Sequence, residues 1–217
     1  MDELAGRIDD LFDDQELDQC VKYFKAFKTK SDKGMGQKYF SLDEKHPFYG
    51  WFDKLIFSKI KGKFGQDANL LLASLLESST PFIPHSDYYH KRLGEPFMIF
   101  LIPLSVDGSR EGMERTSTVI FDQLDDYVDA SDHRQCRPQS EYLDMPVLES
   151  NAAHFRDDLL SHCDPEILSR LSVRNIVEWK PHSLLYWDAK LIHCSNNYKQ
   201  HGVNNKEAMI IHSYKDR

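Results

Sequence analysis

SLLYWDAKLIHCSN (183–196) is the stretch of sequence that decides the fold. Its first part, 183–187, and its last part, 191–195, are short segments rich in residues that favour β-strands. Between them, Asp188-Ala189-Lys190 has the character of a tight turn. We therefore predict two strands joined by a short turn, the second of which carries His193.

Other short segments with strand character lie on both sides of this pair. Turn residues such as Asp107-Gly108 and Lys180-Pro181 separate them. With the first pair they make eight candidate strands, which favours a barrel or double-sheet roll over a parallel βαβ sheet. The six further candidates are 69–76, 81–87, 97–105, 116–123, 173–179 and 208–214.

The N-terminal third has a helical pattern instead. Apolar residues recur at helical spacing over 13–27 and again over 46–64, where Gly62 and Gly65 lie near the end of the second helix. We expect one mainly β domain with N-terminal helices. Its parts are a helical segment (1–66), a β-core in two sections (69–123 and 173–214) and an insert (124–172).

The insert is polar and shows little periodicity between 122 and 150, where aspartates are frequent. Two short helices are predicted after it, near 152–160 and 165–170. A long irregular segment in a compact domain is usually a functional lid or a mobile surface loop. The sequence does not choose between the two.

Composition excludes several classes of protein. A net charge of −8 argues against a nucleic-acid partner, because no broad basic face is present to neutralise phosphates. The four cysteines form no C-x-x-C pair and are expected to be free thiols in a reducing compartment. The longest nearly apolar run, 97–106, is too short for a membrane span, and the start of the chain is acidic. We expect a cytoplasmic protein with no membrane partner.

The sequence His85-Ser86-Asp87 is a candidate metal-binding motif. Residues two apart on an extended chain point to the same side, so an imidazole and a carboxylate can reach one ion. A third ligand from a later strand, for which His193 is the best candidate, would complete one face of an octahedron. Two histidines and one carboxylate with open positions opposite are typical of non-haem Fe(II).

Such a short motif also occurs by chance, and the chain contains a second one, His162-Cys163-Asp164. Here Pro165 and Glu166 follow the aspartate. This order is typical of a helix N-cap with proline at the first helical position. We therefore assign a structural role to Asp164.

Five segments together resemble the Fe(II)/2-oxoglutarate-dependent oxygenase superfamily, in the style of small bacterial prolyl-hydroxylase and phytanoyl-hydroxylase-like members. The resemblance implies a double-stranded β-helix (a jelly-roll, cupin-like core). It also implies that His85, Asp87 and His193 are the catalytic iron ligands and that Fe(II), 2-oxoglutarate and O2 are the cofactors. The segments are PHSDYYH (84–90), FMIFLIPLS (97–105), TSTVIFDQ (116–123), SLLYWDAKLIHCSNN (183–197) and NKEAMIIHSY (205–214).

The resemblance further implies a basic residue on the last core strand, which pairs with the distal carboxylate of 2-oxoglutarate. Lys206 matches it, with Lys199 as a more loop-like rival. Many members have arginine followed two residues later by serine, whereas this chain has Lys206 and Ala208. A tyrosine or Gln123 could supply the missing hydrogen-bond donor.

The implied reaction is hydroxylation of a small-molecule or amino-acid-like substrate, with release of succinate and CO2. The family's halogenases replace the carboxylate ligand by a small residue, so Asp87 favours hydroxylation or a related outcome such as desaturation or ring closure. The sequence identifies neither the substrate nor the oligomeric state. Candidate substrate contacts are Tyr88, Tyr89, His90, Lys91, Arg110 and Arg115.

Three alternatives remain at this stage. The roll could be a cupin-type metal enzyme that does not use 2-oxoglutarate, although such sites often contain His-x-His, which this chain lacks. It could be a zinc hydrolase, for which Glu178 is the only nearby-strand candidate for a base. It could also be a binding or sensor module without catalytic activity.

Overall fold

The computed structural model describes residues 4–26, 30–32, 37–42, 44–87, 95–125, 142–143 and 150–215. Within these ranges, ten strands form two antiparallel sheets. No helix in the described residues is long and apolar enough to cross a membrane. The strands are β1 (Ala5–Ile8), β2 (Lys30–Asp32), β3 (Gln37–Leu42), β4 (Ala68–Ser78), β5 (Glu95–Val106), β6 (Ser117–Leu124), β7 (Val173–Glu178), β8 (Leu184–Asp188), β9 (Leu191–Ser195) and β10 (Lys206–Lys215).

The larger sheet has the strand order β1-β8-β5-β10-β4-β3-β2, and the smaller sheet has the order β7-β6-β9. The segment around His85 joins the free side of β9 through a single antiparallel bridge to His193. Four central strands, β4-β10-β5-β8, therefore face β7, β6, β9 and the His85 segment. Two facing sets of four antiparallel strands make the double-stranded β-helix that the sequence predicts.

Strand alternation builds separate cores on the two faces of each sheet. On β8, Leu184 and Tyr186 pack with the N-terminal helices, whereas Leu185 and Trp187 point between the sheets. On β9, Cys194 lies in the outer core of the smaller sheet, so its side chain points to the opposite side from that of His193. The space between the sheets is therefore lined by alternate residues of strands that the sequence predicts.

Helices cover the outer faces of both sheets. A continuous helical run from 49 to 64 packs Phe52, Ile56 and Ile60 against the larger sheet. Loop and helical residues of 150–171 cover the smaller one. The helical elements are α1 (Asp14–Ala26), α2 (Tyr49–Phe52), a π-helical turn (Asp53–Phe57), α3 (Ser58–Phe64), α4 (Pro165–Leu168) and 3₁₀ turns at Met113–Arg115, Ala152–Phe155 and Tyr198–His201.

Two expectations need correction. The segment 81–87 is no regular strand, because within the described residues it forms only the bridge at His85. The segment 1–66 is not purely helical, because it also contributes β1, β2 and β3 to both edges of the larger sheet. Of the predicted lid or loop, 126–141 and 144–149 lie outside the described residues.

Candidate metal centre

The backbone fixes His85 opposite His193. The His85 N–H donates to the His193 carbonyl at 2.9 Å, and the His193 N–H donates to the His85 carbonyl at 2.8 Å. Residues paired in this way across two antiparallel strands place their side chains on the same face. The two imidazoles accordingly lie with ring centroids 4.3 Å apart, between the sheets.

Both imidazoles are oriented by a carbonyl two residues earlier in the chain. His85 Nδ1 lies 2.8 Å from the Ile83 carbonyl oxygen, and His193 Nδ1 lies 3.1 Å from the Leu191 carbonyl oxygen. Because a carbonyl oxygen only accepts hydrogen bonds, each Nδ1 carries the proton and donates it. The lone pair on Nε2 is thereby left for a metal, as in most protein metal sites with histidine ligands.

Asp87 completes the group on the same side as His85. Its Oδ2 atom lies 3.3 Å from His193 Nε2. The ligand atoms of the three residues all lie within 4.8 Å of one another. Metal bonds of about 2.1 Å place adjacent ligand atoms of an octahedron about 3 Å apart, so only small side-chain rotations separate this arrangement from a coordinated one.

The electrostatics of the group suit a cation. Burial lowers the pKa of His85 to about 4, and the neighbouring His193 adds to that effect. Burial alone would raise the pKa of the Asp87 carboxyl, but the neighbouring histidines, His193 first, hold it below its ordinary range. Near pH 7 His85 is therefore neutral and Asp87 ionised, the protonation states in which both bind a metal ion.

A buried lysine faces the same cavity from the larger sheet. Lys206, at the start of β10, is only 3% exposed and lines this cavity together with His85 and His193. Its Nζ atom lies 4.6 Å from the centroid of the Trp179 ring and 4.9 Å from that of Tyr198. No carboxylate of the described residues forms an ion pair with Lys206. A buried ammonium held only by aromatic faces is a ready site for an anion.

Two hydroxyl groups beside Lys206 were not identified from the sequence. Thr118 Oγ1 accepts the Trp179 indole N–H at 3.2 Å, and Ser195 Oγ accepts the Phe82 backbone N–H at 2.7 Å. Each hydroxyl keeps its own hydrogen to donate, and both residues line the cavity. The inward position of Ser195 follows from its place two residues after His193. Nothing in the sequence distinguishes Thr118 from Thr116.

The structure does not bring Gln123 to the cavity. Its amide donates to the Arg170 carbonyl at 3.2 Å and accepts the Ser172 N–H at 3.0 Å, so it holds the loop before β7. Lys199 is exposed on a 3₁₀ turn. Of the two lysines considered for pairing with the distal carboxylate of 2-oxoglutarate, Lys206 is therefore favoured.

The remaining residues that the sequence suggested for substrate contact or catalysis have other surroundings. Arg110 pairs with Asp14 and Asp18 on α1, which leaves its charge compensated. Glu178 is exposed, so it does not supply the base in the cavity that the zinc-hydrolase alternative requires. Arg115 donates to the Gly112 carbonyl in a 3₁₀ turn. The residues 88–91 lie outside the described residues.

The second His-x-Asp motif has the structural role predicted for it. Asp164 is the N-cap of α4 and accepts the Glu166 N–H at 2.8 Å, with Pro165 in the first turn. We expect Asp164→Ala to lower the free energy of unfolding by about 1 kcal/mol, as for other lost N-caps, and to leave metal affinity unchanged. Urea denaturation and metal titration measure the two effects. A loss of metal affinity would contradict the assignment.

No protein-family model matches the chain, and no curated protein is a significant sequence relative. Solved structures do match. The epimerase SnoN in complex with Fe3+, alpha ketoglutarate and nogalamycin RO matches with a TM-score of 0.61 and 11% identity, over 98% of this chain and 79% of that one. HygX from Streptomyces hygroscopicus, with nickel and 2-oxoglutarate bound, has a TM-score of 0.55 and 14% identity over 98% and 83%.

A prolyl-4-hydroxylase from Pseudomonas putida covers 100% of this chain and 94% of its own, with a TM-score of 0.53 and 6% identity. At such identities the likeness establishes the fold. It confirms the double-stranded β-helix, in the form found in 2-oxoglutarate and iron oxygenases, over nearly the whole chain.

Proposed function

From the fold it shares with Fe(II)/2-oxoglutarate-dependent oxygenases, we propose that this chain is a dioxygenase that couples oxidation of a small organic substrate to the decarboxylation of 2-oxoglutarate. His85, Asp87 and His193 would hold Fe(II). Lys206 would bind the distal carboxylate of the co-substrate. The products would be succinate, CO2 and, in the simplest outcome, a hydroxylated small-molecule or amino-acid-like compound.

The observation that carries this proposal is the buried amine of Lys206, which pairs with no carboxylate of the described residues, in the same cavity as the His85 and His193 imidazoles. A metal site alone would suit many enzymes. A second cationic site, facing it from the opposite sheet, suits a ligand with an anionic group at each end. A dicarboxylate such as 2-oxoglutarate meets that requirement.

The residues of the chain have distinct tasks in this proposal. Iron, when bound, supplies the chemistry of O2 reduction and substrate oxidation. The Ile83 and Leu191 carbonyls keep the two Nε2 atoms directed at the metal position. Lys206 neutralises the distal carboxylate, and the Thr118 and Ser195 hydroxyls donate beside it in place of the serine absent at Ala208. The aromatic rings around Lys206 keep water out of this end of the cavity, which strengthens each of these contacts.

Succinate release tests the proposal without knowledge of the substrate. Purified protein is incubated with Fe(II), 2-oxoglutarate, ascorbate and O2, and succinate is measured over time. An oxygenase should show slow, iron-dependent turnover, which substrate candidates from a metabolite panel accelerate. A cupin that does not use 2-oxoglutarate, or a binding module, releases no succinate, and that result would reject the proposal.

Binding of 2-oxoglutarate should depend on pH with a definite sign. Burial lowers the pKa of Lys206 from its ordinary 10.5 to about 7. A bound carboxylate stabilises the charged ammonium and raises the pKa again, so above pH 7 binding takes up a proton. We expect the Kd to rise above pH 7, by up to about tenfold per pH unit, and this dependence to fade over roughly one pH unit below pH 7.

Calorimetry of metal-loaded protein in two buffers of different ionisation enthalpy counts the protons taken up. Lys206→Arg is the control, because a guanidinium stays protonated and should remove the slope above pH 7. A slope that persists in this variant would assign the proton to another group.

A further inference from the structure

The segment that carries His85 and Asp87 is held mainly by side chains of other elements. In the described residues its backbone pairs with β9 only at the His85–His193 bridge. The Phe82 N–H donates to Ser195 Oγ at 2.7 Å, and His162 Nε2 donates to the Phe82 carbonyl at 2.9 Å. Side-chain contacts thus replace the ladder of hydrogen bonds that a regular strand would have.

Ser86, between the two ligand residues, makes the contact nearest to the metal position. Its side chain alternates to the other side of the extended segment, and it is 3% exposed. Ser86 Oγ donates to Asp125 Oδ2 at 2.8 Å. Asp125 is itself only 2% exposed. A hydrogen bond to a buried carboxylate is directional and about twice as strong as a neutral one.

Asp125 also contacts the segment that leads to the third ligand. It directly follows β6, and its backbone N–H donates to the Lys190 carbonyl at 2.8 Å. Lys190 lies in the turn between β8 and β9, three residues before His193. One residue therefore ties the end of β6 to both ligand-bearing segments, through its side chain to one and its backbone to the other.

We propose that Asp125 is a positioning residue for the metal centre, which holds His85 and Asp87 in register with His193 through its hydrogen bond to Ser86. The inference rests on the proposed metal site and adds a carboxylate that is not itself a ligand. Residues that orient metal ligands in this indirect way commonly change metal affinity by about 10-fold to 100-fold when substituted. Asp125 holds the backbone that carries the ligands in place, whereas the Ile83 and Leu191 carbonyls orient the imidazole rings.

Titration with Co(II), whose visible absorption reports coordination geometry, tests the role directly. Ser86→Ala and Asp125→Ala should each raise the Kd for Co(II) about 10-fold or more and change the spectrum of the bound ion. Because both remove the same hydrogen bond, the double variant should bind no more weakly than the weaker single variant. Asp125→Asn keeps an acceptor oxygen and should stay within about 3-fold of the wild type.

Ser213→Ala is the matched control. Ser213 is 2% exposed, donates to the Met98 carbonyl at 2.7 Å and accepts the Met98 N–H at 3.2 Å, so the variant loses two buried serine hydrogen bonds. It lies seven residues beyond Lys206 on β10, about 23 Å along the strand. The stability of Ser213→Ala in urea should fall at least as far as that of Ser86→Ala, with the Co(II) affinity and spectrum unchanged.

The outcomes separate the inference from the function on which it rests. Wild-type protein that binds one Co(II), together with wild-type affinity in Ser86→Ala, would overturn the positioning role and leave the metal site intact. Additive losses in the double variant would overturn it too, as would an Asp125→Asn defect equal to that of Asp125→Ala. A wild-type chain that binds no Co(II) would overturn the positioning role and the metal site together.

Discussion

Alanine in place of His85, Asp87 or His193 is expected to abolish 2-oxoglutarate consumption, with a fall of about a thousandfold or more in each variant. Each change removes one of three ligand atoms that lie within 4.8 Å of one another, and two ligands hold a divalent ion poorly. Succinate release gives the activity. Metal content after gel filtration shows whether the loss of turnover follows the loss of iron.

The fold should survive all three changes. The His85–His193 bridge is made by backbone N–H and carbonyl groups, which alanine retains. Asp164→Ala is the matched control, because it removes the aspartate of the other His-x-Asp motif and should keep its turnover. Retained turnover in His193→Ala would mean that the third ligand has been assigned wrongly, while loss of the unfolding transition would mean that the residue is needed for folding.

The sequence predicted the core strands because their patterns come from burial. Residues such as Leu185 and Trp187 face one core while Leu184 and Tyr186 face another, so nearly every position of β8 is apolar and the strand is easily recognised. The edge strands were missed for the opposite reason. β1 is four residues long and directly follows an acidic start, so its own sequence shows no strand pattern. Its hydrogen bonds to β8 hold it in the extended conformation.

The sequence indicated the grouping of the candidate ligands where that grouping depends on local spacing. His85 and Asp87 are two residues apart on an extended segment, and their common side follows from backbone geometry alone. Asp125 could not be found in this way. It lies in a polar stretch with many aspartates, and only the fold, which brings the end of β6 to the His85 segment, buries it against Ser86. Gln123 was predicted at the site, but the fold uses its amide to hold the loop before β7.

Lys206→Ala should raise the 2-oxoglutarate concentration needed for half-maximal turnover by about 100-fold or more, with metal binding unchanged. A buried charge-assisted contact of this kind is worth about 2–5 kcal/mol, which corresponds to about 30-fold to several thousandfold in affinity. The metal ligands lie on the other sheet and keep their backbone bridge. Turnover against 2-oxoglutarate concentration and a separate metal titration measure the two effects.

Lys206→Met separates lost recognition from damage to the protein. Methionine fills a similar volume among the rings of Trp179 and Tyr198 without a charge to bury. Because burial lowers the pKa of Lys206 to about 7 while the unfolded lysine stays protonated up to about 10.5, the wild type loses stability as the pH falls through this interval. At pH 7 the variant should therefore be more stable than the wild type and still bind 2-oxoglutarate poorly. An unchanged 2-oxoglutarate requirement would move the carboxylate site to another residue. A variant that binds 2-oxoglutarate weakly and is also less stable than the wild type would mean that Lys206 serves the packing of the cavity.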